Sequence, residues 1–435
     1  MEKHMTKVAE KHGKDGLCFH WGYGCRTMVI VSSPQAVKEL AFHPNLSDKP
    51  HFAYRSLTPY FLGPFITSRA DDLWKLKKKE YSTFLKKSHV DRDYLNTLVK
   101  ISDKLIDFML TSPSAVDVNY GTLVLTQSVT VEALFRNETS LVYHPHVLKL
   151  MKWLKYLAPI IMGNPKLSET ILTMFRKIDR IVIAEIGELR KTLFERSLNT
   201  SVSNQHSPSA KNKSLSMHMT ERSIKHNDSE ESIIKELQEL FFTSSHTVTC
   251  ALANSIIYLA LLPDIQERAW KEQHQIFGND KRCPRIEDIE QMEFLDRFIK
   301  ETLRFVSPAM FAKLATGDIN INGITIPSGT GVMFMHRYMR MDPENWKNPE
   351  VFDPDRFLED NEIMKHSYFP FGIGIRSCPG TYFATMEMKI TLSQILRRLK
   401  LRPVQEDFRF EDIQYECAIM VEVKNPPLLK VEERA

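Results

Sequence analysis

One cysteine in this chain stands in a setting suited to chemistry. The segment Phe369-Pro370-Phe371-Gly372-Ile373-Gly374-Ile375-Arg376-Ser377-Cys378-Pro379-Gly380 puts a thiol between a glycine-rich turn and a helix expected over about 380 to 400. Gly372, Gly374 and Gly380 permit tight turns and let the backbone approach a flat ligand closely. Arg376 suits an anionic group on such a ligand. Free amides and the helix dipole just beyond Cys378 favour its thiolate, the form that ligates metals. The plain alternative is an inert buried cysteine beside a turn.

The segment resembles the haem-binding loop of cytochromes P-450, Phe-x-x-Gly-x-Arg-x-Cys-x-Gly. Phe371, Gly374, Arg376, Cys378 and Gly380 occupy its five fixed positions, and Ala384 and Glu387 fall where that family's haem-binding helix carries them. The resemblance implies haem b (iron protoporphyrin IX) with Cys378 as the axial metal ligand. Phe371, Gly372, Arg376, Gly380 and Ala384 would then line the cofactor. A thiolate ligand pushes electron density onto iron and favours cleavage of the O–O bond.

Other stretches extend the likeness. Glu301-Thr302-Leu303-Arg304 puts acid and base three apart on one helical face, which alone is usually a surface ion pair. With Phe352-Asp353-Pro354-Asp355-Arg356-Phe357 it is similar to the family's Glu-x-x-Arg and Pro-x-Arg-Phe pair. That implies a structural triad of Glu301, Arg304 and Arg356 that performs no chemistry. Trp74-Lys75-Leu76-Lys77-Lys78 resembles the Trp-x-x-x-Arg helix that hydrogen-bonds a haem propionate, with Lys78 for the usual arginine. Lys313 stands where many members place a second propionate-binding arginine; lysine keeps the charge and loses the bidentate fork.

The family's oxygen-binding stretch, Ala-Gly-x-Asp/Glu-Thr-Thr, falls on Thr243 to Val248, counted back from Pro263. Thr247 matches the hydroxyl that helps deliver protons. His246 replaces the acid; it can titrate near neutrality and relay protons, or it can be a satisfied core residue. Thr243-Ser244 replaces the small Ala-Gly pair and narrows the space above the iron.

The resemblance implies an oxidoreductase, a monooxygenase that uses O2 and electrons from NADPH delivered by NADPH-cytochrome P-450 reductase. The cluster Lys75, Lys77, Lys79, Lys86 and Lys87 is either a solvated basic face or the docking surface for that acidic partner. Met339-Arg340-Met341-Asp342, Tyr368 to Phe371 and Arg376 to Cys378 look most like cholesterol 24-hydroxylase and its microsomal relatives. They imply a sterol or other lipophilic substrate at the cytosolic face of the endoplasmic reticulum membrane. Residues 154 to 163 form an apolar patch, either ordinary core or a loop dipping into the membrane surface. Val306 to Ala312 and Phe52 to Phe65 would add pocket walls. Two rivals follow from the altered residues at 243 to 246: a reductase-independent isomerase or dehydratase, and a non-catalytic haem or lipid carrier.

The elements that must position these residues are mostly helices. Residues 27 to 32 read as a strand, followed by Ser33-Pro34 and helical spacing at Val37, Leu40 and Ala41. Apolar residues three and four apart predict helix over most of 95 to 196. Residues 197 to 231 carry too few apolar groups to offset their ordering entropy and predict a disordered insertion. Asn-x-Ser/Thr triplets at Asn199, Asn212 and Asn227 carry no meaning in a cytosol-facing chain. Helices are expected over about 232 to 260 and 288 to 305, with strands and turns over 312 to 335. The sum is one domain over residues 1–435, mainly α with a small β portion, the cytochrome P-450 fold under the resemblance.

Composition excludes some partners. A net charge of +4 on 435 residues does not suggest nucleic acid. The six cysteines include no Cys-x-x-Cys pair, and a chain this long needs no disulfides for its core, so a reducing compartment fits. No stretch approaches the ~18 apolar residues of a membrane span. Met1 to Gly13 has no signal-peptide core. It reads as a charged helix, with the family's N-terminal membrane anchor missing ahead of Met1.

Overall fold

The computed structural model describes residues 16–22, 26–50, 64–112, 115–134, 214–308, 311–359, 362–417 and 420–434, with residue 195. The helix expected over 135 to 194, the apolar patch at 154 to 163 and most of the loop from 52 to 65 lie outside these residues. Strands β1 (Leu17–Gly22) and β2 (Arg26–Val31) open the described chain and pair antiparallel. The β-branched run in β2 is buried from Met28 to Val31, as suits a strand covered on both faces.

The helices of six or more residues are α1 (Pro34–Leu40), α2 (Asp72–Phe84), α3 (Leu95–Thr111), α4 (Val118–Val129), α5 (Leu215–Lys225), α6 (Glu230–Leu261), α7 (Pro263–Phe277), α8 (Glu293–Phe305), α9 (His336–Met341), α10 (Glu362–Ser367) and α11 (Thr381–Arg398). Several start on side-chain caps: Ser33, Asp71, Asp117 and Ser229 accept from amides three residues on. The remaining strands are β3 (Phe311–Leu314), β4 (Ile319–Ile321), β5 (Ile324–Ile326), β6 (Gly331–Phe334), β7 (Leu399–Pro403), β8 (Tyr415–Cys417), β9 (Val421–Val423) and β10 (Leu429–Glu433). The four-stranded sheet has the order β1-β2-β6-β3, with β2 and β6 parallel. β4 and β5 form a hairpin whose two turn residues, Asn322 and Gly323, both have positive φ.

Two expectations need correction. Part of the segment read as a disordered insertion, residues 215 to 225, is α5. Leu215 and Met219 stack one turn apart in the core, and buried Arg222 pairs with Glu80 at 2.8 Å and Glu236 at 2.6 Å. Ion pairs supply the anchoring that the sparse apolar residues do not; residues 197 to 213 lie outside the described chain. The helix expected over 288 to 305 is broken at Gln291 and Met292. Glu272 of α7 accepts from the Phe294 and Leu295 amides at 2.5 and 3.0 Å and so caps α8 from another helix.

α6 packs against α4, α8 and α11 at the centre of the fold. Beside it, α8 carries an ion cluster in which Glu301 and Arg304 are fully buried and Arg356 is half-buried. Glu301 accepts from Arg304 at 2.7 and 2.9 Å, from Arg356 Nε at 2.9 Å and from the Asp353 amide at 2.8 Å. Arg304 also donates to the Arg340 and Pro349 carbonyls. From this helix and the residues after it, the Lys300 carbonyl accepts from the Tyr368 hydroxyl and Ser307 Oγ donates to the Pro370 carbonyl. The cluster thereby fixes the ground on which the cysteine loop rests. Replacing Glu301 by glutamine leaves two guanidinium groups, one of them fully buried, without their counter-charge and is expected to cost about 3–5 kcal/mol. Denaturant unfolding of the variant checks this, and an unchanged midpoint would contradict it.

Candidate active site

The loop before α11 is shaped by its glycines. Gly372 and Gly374 have φ of +77° and +76°, a region side chains rarely adopt. A Cβ on Gly374 would also lie 2.3 Å from the Ala41 carbonyl oxygen. The Cys378 amide donates to the Phe371 carbonyl at 2.8 Å, closing the loop. No side chain caps the start of α11. The Gly380 amide instead donates to Cys378 Sγ at 3.3 Å, and Thr381 Oγ1 donates to the Cys378 carbonyl at 3.0 Å. The helix end is thus turned toward the sulfur.

Even so, burial pushes the Cys378 thiol up, while the Gly380 amide and the Lys78 ammonium pull it back. The amide at the helix start acts toward the thiolate, as the sequence suggests, but desolvation outweighs it. Cys378 nonetheless keeps accessible surface.

Beside the loop lies a cluster of cations. Lys78 donates to the Ile375 carbonyl and, at 3.1 Å, to that of Ser377. Arg376 donates to the Ser47 and Ser68 carbonyls at 2.9 and 2.6 Å and sits 4.0 Å over the Trp74 ring. Trp74 Nε1 donates to the Phe65 carbonyl at 3.0 Å. Buried Lys313 donates to the Ala41 carbonyl at 2.7 Å; its pKa is pushed down to about 8 by burial, then by Lys49, Arg376 and Lys78. These like charges crowd one region, with Asp48 3.9 Å from Arg376.

On α6, Thr243, Ser244, His246 and Thr247 are half-buried. Thr247 Oγ1 donates to the Thr243 carbonyl at 3.1 Å, and Thr243 Oγ1 to that of Glu239 at 2.7 Å. Ser244 donates to the Leu240 carbonyl at 2.6 Å and meets Thr130 of the neighbouring stretch at 3.1 Å. These hydroxyls donate back to their own helix, which leaves their lone pairs to accept.

The family model described as Cytochrome P450 matches residues 1–429. The chain belongs to the cytochrome P-450 family. Among curated proteins, it is 38% identical over 184 residues to cytochrome P-450 4c21 of Blattella germanica, covering 41% of this chain and 37% of that one. It is 34% identical over 199 residues to cytochrome P-450 3A7 of Homo sapiens, covering 45% and 39%. The aligned stretches therefore span well under half of these relatives. The crystal structure of the cytochrome P-450DA haem domain covers all of this chain and 93% of its own, with a TM-score of 0.83 at 21% identity. At that identity the likeness speaks for the fold, which is the mainly helical cytochrome P-450 fold.

Membership in this family implies haem, and the residues present fit it. Among the described residues no group of three or more His, Cys, Asp or Glu side chains could hold a metal ion. A single thiol suits a metal that brings its other ligands in a macrocycle. The crowded cations Lys78, Lys313 and Arg376 suit a ligand with carboxylates, whose charge would offset their repulsion. Phe371, Gly372, Gly380 and Ala384 surround the loop and the first turn of α11. Deeper in that helix burial holds the Glu387 carboxyl well above its ordinary range. Trp74, Lys78 and Lys313, expected to contact the haem propionates, donate to the Phe65, Ile375, Ser377 and Ala41 carbonyls, and of the three Lys78 bonds the cysteine loop itself.

One lysine of the basic cluster is misplaced by the sequence reading. Lys77 is buried and paired with Glu236 at 2.8 Å, so it is no part of a docking surface. Lys75, Lys79, Lys86 and Lys87 are exposed. Lys87 binds Glu290 and Asp91 and reaches the Tyr382 hydroxyl at 3.3 Å, on the thiol side of α11. Sequence reasoning also missed Glu239, a buried carboxyl one turn before Thr243, because Lys235, Glu236 and Gln238 precede it and nothing local sets it apart.

Two substitutions test the loop. Gly374→Ala is expected to cost at least about 1–3 kcal/mol more than Gly323→Ala, which shares the positive φ with no heavy atom within 4 Å; equal losses in an unfolding experiment would contradict the close contact. Lys78→Gln removes a cation that lowers the Cys378 pKa. Alkylation of this thiol in the haem-free chain should then shift to higher pH, and an unmoved profile would show that Lys78 does not act on the sulfur.

Proposed function

We propose that this chain is a haem-thiolate monooxygenase that inserts one atom of O2 into a lipophilic substrate, with a sterol or other lipid favoured. The observation that carries it is Cys378: an accessible sulfur at depth, facing an uncapped helix start and bonded by the Gly380 amide. Haem held there supplies activation of dioxygen and oxygen insertion into a C–H bond. Gly380 and Lys78 stabilise negative charge on the sulfur, and Lys313 and Arg376 offer charge to the cofactor's carboxylates. Thr247 Oγ1, with its lone pairs unspent by the helix, holds and passes protons, and His246 beside it is the titrating group nearest in sequence.

Electrons would come from NADPH through a reductase docked at Lys75, Lys79, Lys86 and Lys87. What supports this surface is its place on the Cys378 side of the fold, through Lys78 and Lys87. The matches to cytochromes P-450 of families 4 and 3A support the microsomal type, hence a place at the cytosolic face of the endoplasmic reticulum membrane. Among the described residues no single helix is long and apolar enough to cross a membrane.

The carbon monoxide difference spectrum of the reduced, haem-loaded chain tests the reading. A Soret band in the position of thiolate ligation is expected, lost in Cys378→His; an imidazole-like band in the wild type would sink it. With reductase, product should require NADPH, and product without NADPH would favour a reductase-independent isomerase. Thr247→Ala should lower product formed per NADPH consumed by about tenfold or more. Unchanged coupling would remove Thr247 from the proton path.

A further inference from the structure

Glu239 lies on the buried side of α6, and nothing in the proposed reaction uses it. Its two oxygens accept from successive amides of a separate segment: Oε2 from Phe65 at 2.9 Å and Oε1 from Ile66 at 2.7 Å. The Phe65 carbonyl in turn accepts from Trp74 Nε1 at 3.0 Å and from Arg376 at 3.5 Å. The Phe65 ring stacks on Trp74 at 5.8 Å and meets Tyr81 at 4.6 Å. One buried carboxyl therefore fixes the residue to which Trp74 and Arg376 are both bonded.

We propose that Glu239 is a positioning residue: by holding the Phe65 and Ile66 amides it sets where the Phe65 carbonyl stands, and so how firmly Trp74 and Arg376 frame the cofactor site. The cofactor half of this rests on the haem-thiolate reading. The groups facing Glu239 are Glu236 from its own helix and Lys77 and Tyr81 from α2. Arg222 of α5 and Glu80 of α2 complete the ion network around Glu236, and Phe65 and Ile66 bring their amides and apolar side chains. Burial foremost pushes the Glu239 carboxyl up to about 8, the two amides and Lys77 pulling it back and Glu236 adding to the rise. A protonated carboxyl turns an O–H toward one of two N–H donors and accepts well from only one.

Two consequences of opposite sign follow. The folded state keeps this proton to higher pH than an unfolded chain does, so Glu239 lowers global stability as pH rises from the ordinary carboxyl range to about 8. The same ionisation tightens the local clamp on Phe65 and Ile66.

Amide hydrogen exchange of the haem-loaded full chain, read by mass spectrometry between pH 6 and 10 and corrected for intrinsic rates, tests the proposal. Protection at Phe65 and Ile66 is expected to rise about tenfold through pH 8. In Glu239→Gln it should stay at the low-pH value, and haem transfer to an apomyoglobin acceptor should be several-fold faster than in wild type. The exposed Glu406→Gln should change neither. Flat protection in the wild type overturns the clamp, and this profile decides the matter even if Glu239→Gln does not fold. Loss of protection with unchanged haem transfer overturns the link to the rim. Absence of the thiolate Soret band from the wild type overturns the haem-thiolate reading instead, while exchange at Phe65 and Ile66 still decides the clamp.

Discussion

A sulfur meant to carry negative charge at depth sets the terms for the structure around it. Burial alone favours the neutral thiol, and it does so here. The fold opposes this with short-range devices. An amide at the uncapped start of α11 points at Sγ, and a lysine from α2 crosses to the carbonyls of Ile375 and Ser377. These devices work only if the loop is held to within fractions of an ångström. The positive-φ glycines against Ala41 and Phe311 do that locally. At longer range the Glu301 cluster does it through Tyr368 and Ser307. Under the haem-thiolate reading, the iron would supply the further positive charge that a thiolate at this position calls for.

The placement of charges makes a second constraint intelligible. Lys78, Lys313 and Arg376 all donate to carbonyl oxygens, and among the described residues Arg376 also pairs with Asp48 at 3.9 Å. Backbone carbonyls are dipoles and cannot offset a field of three like ions in one region. An anionic ligand would relieve this repulsion; the Lys313 pKa is lowered first by burial and then by Lys49, Arg376 and Lys78. A family whose cofactor carries propionates supplies such a ligand without any contact having to be assumed.

Most of the site was legible in the sequence because local rules govern it. Cys378, its glycines and Arg376 lie within one short stretch, and Glu301, Arg304 and Arg356 lie in two motifs whose spacing is itself informative. The helices at 230–261 and 381–398 follow from long periodic runs, the first with a Ser229 cap and a stop before Pro263. What was missed depends on partners far away in the chain. Lys77 and Lys79 look alike in a row of lysines; only the facing Glu236, 159 residues on, decides which is buried. The break before α8 needs Glu272 from another helix. α5 looked disordered because its anchoring is ionic, and hydrophobic patterning cannot register an arginine buried between two glutamates.

Three buried carboxyls show how much their donors matter. Glu301 receives two guanidinium groups and an amide, an arrangement that balances its charge outright. Glu239 receives two amides, which orient the carboxylate without neutralising it, and its pKa rises to about 8. Glu387 has no hydrogen-bond partner at either oxygen among the described residues, and burial drives it well above the ordinary range. The order follows from one principle: desolvation is common to all three, and only charged donors recover most of what it costs. Glu239, its carboxyl pushed up to about 8 chiefly by burial, is the one of the three whose bonded amides lead directly to the rim of the site.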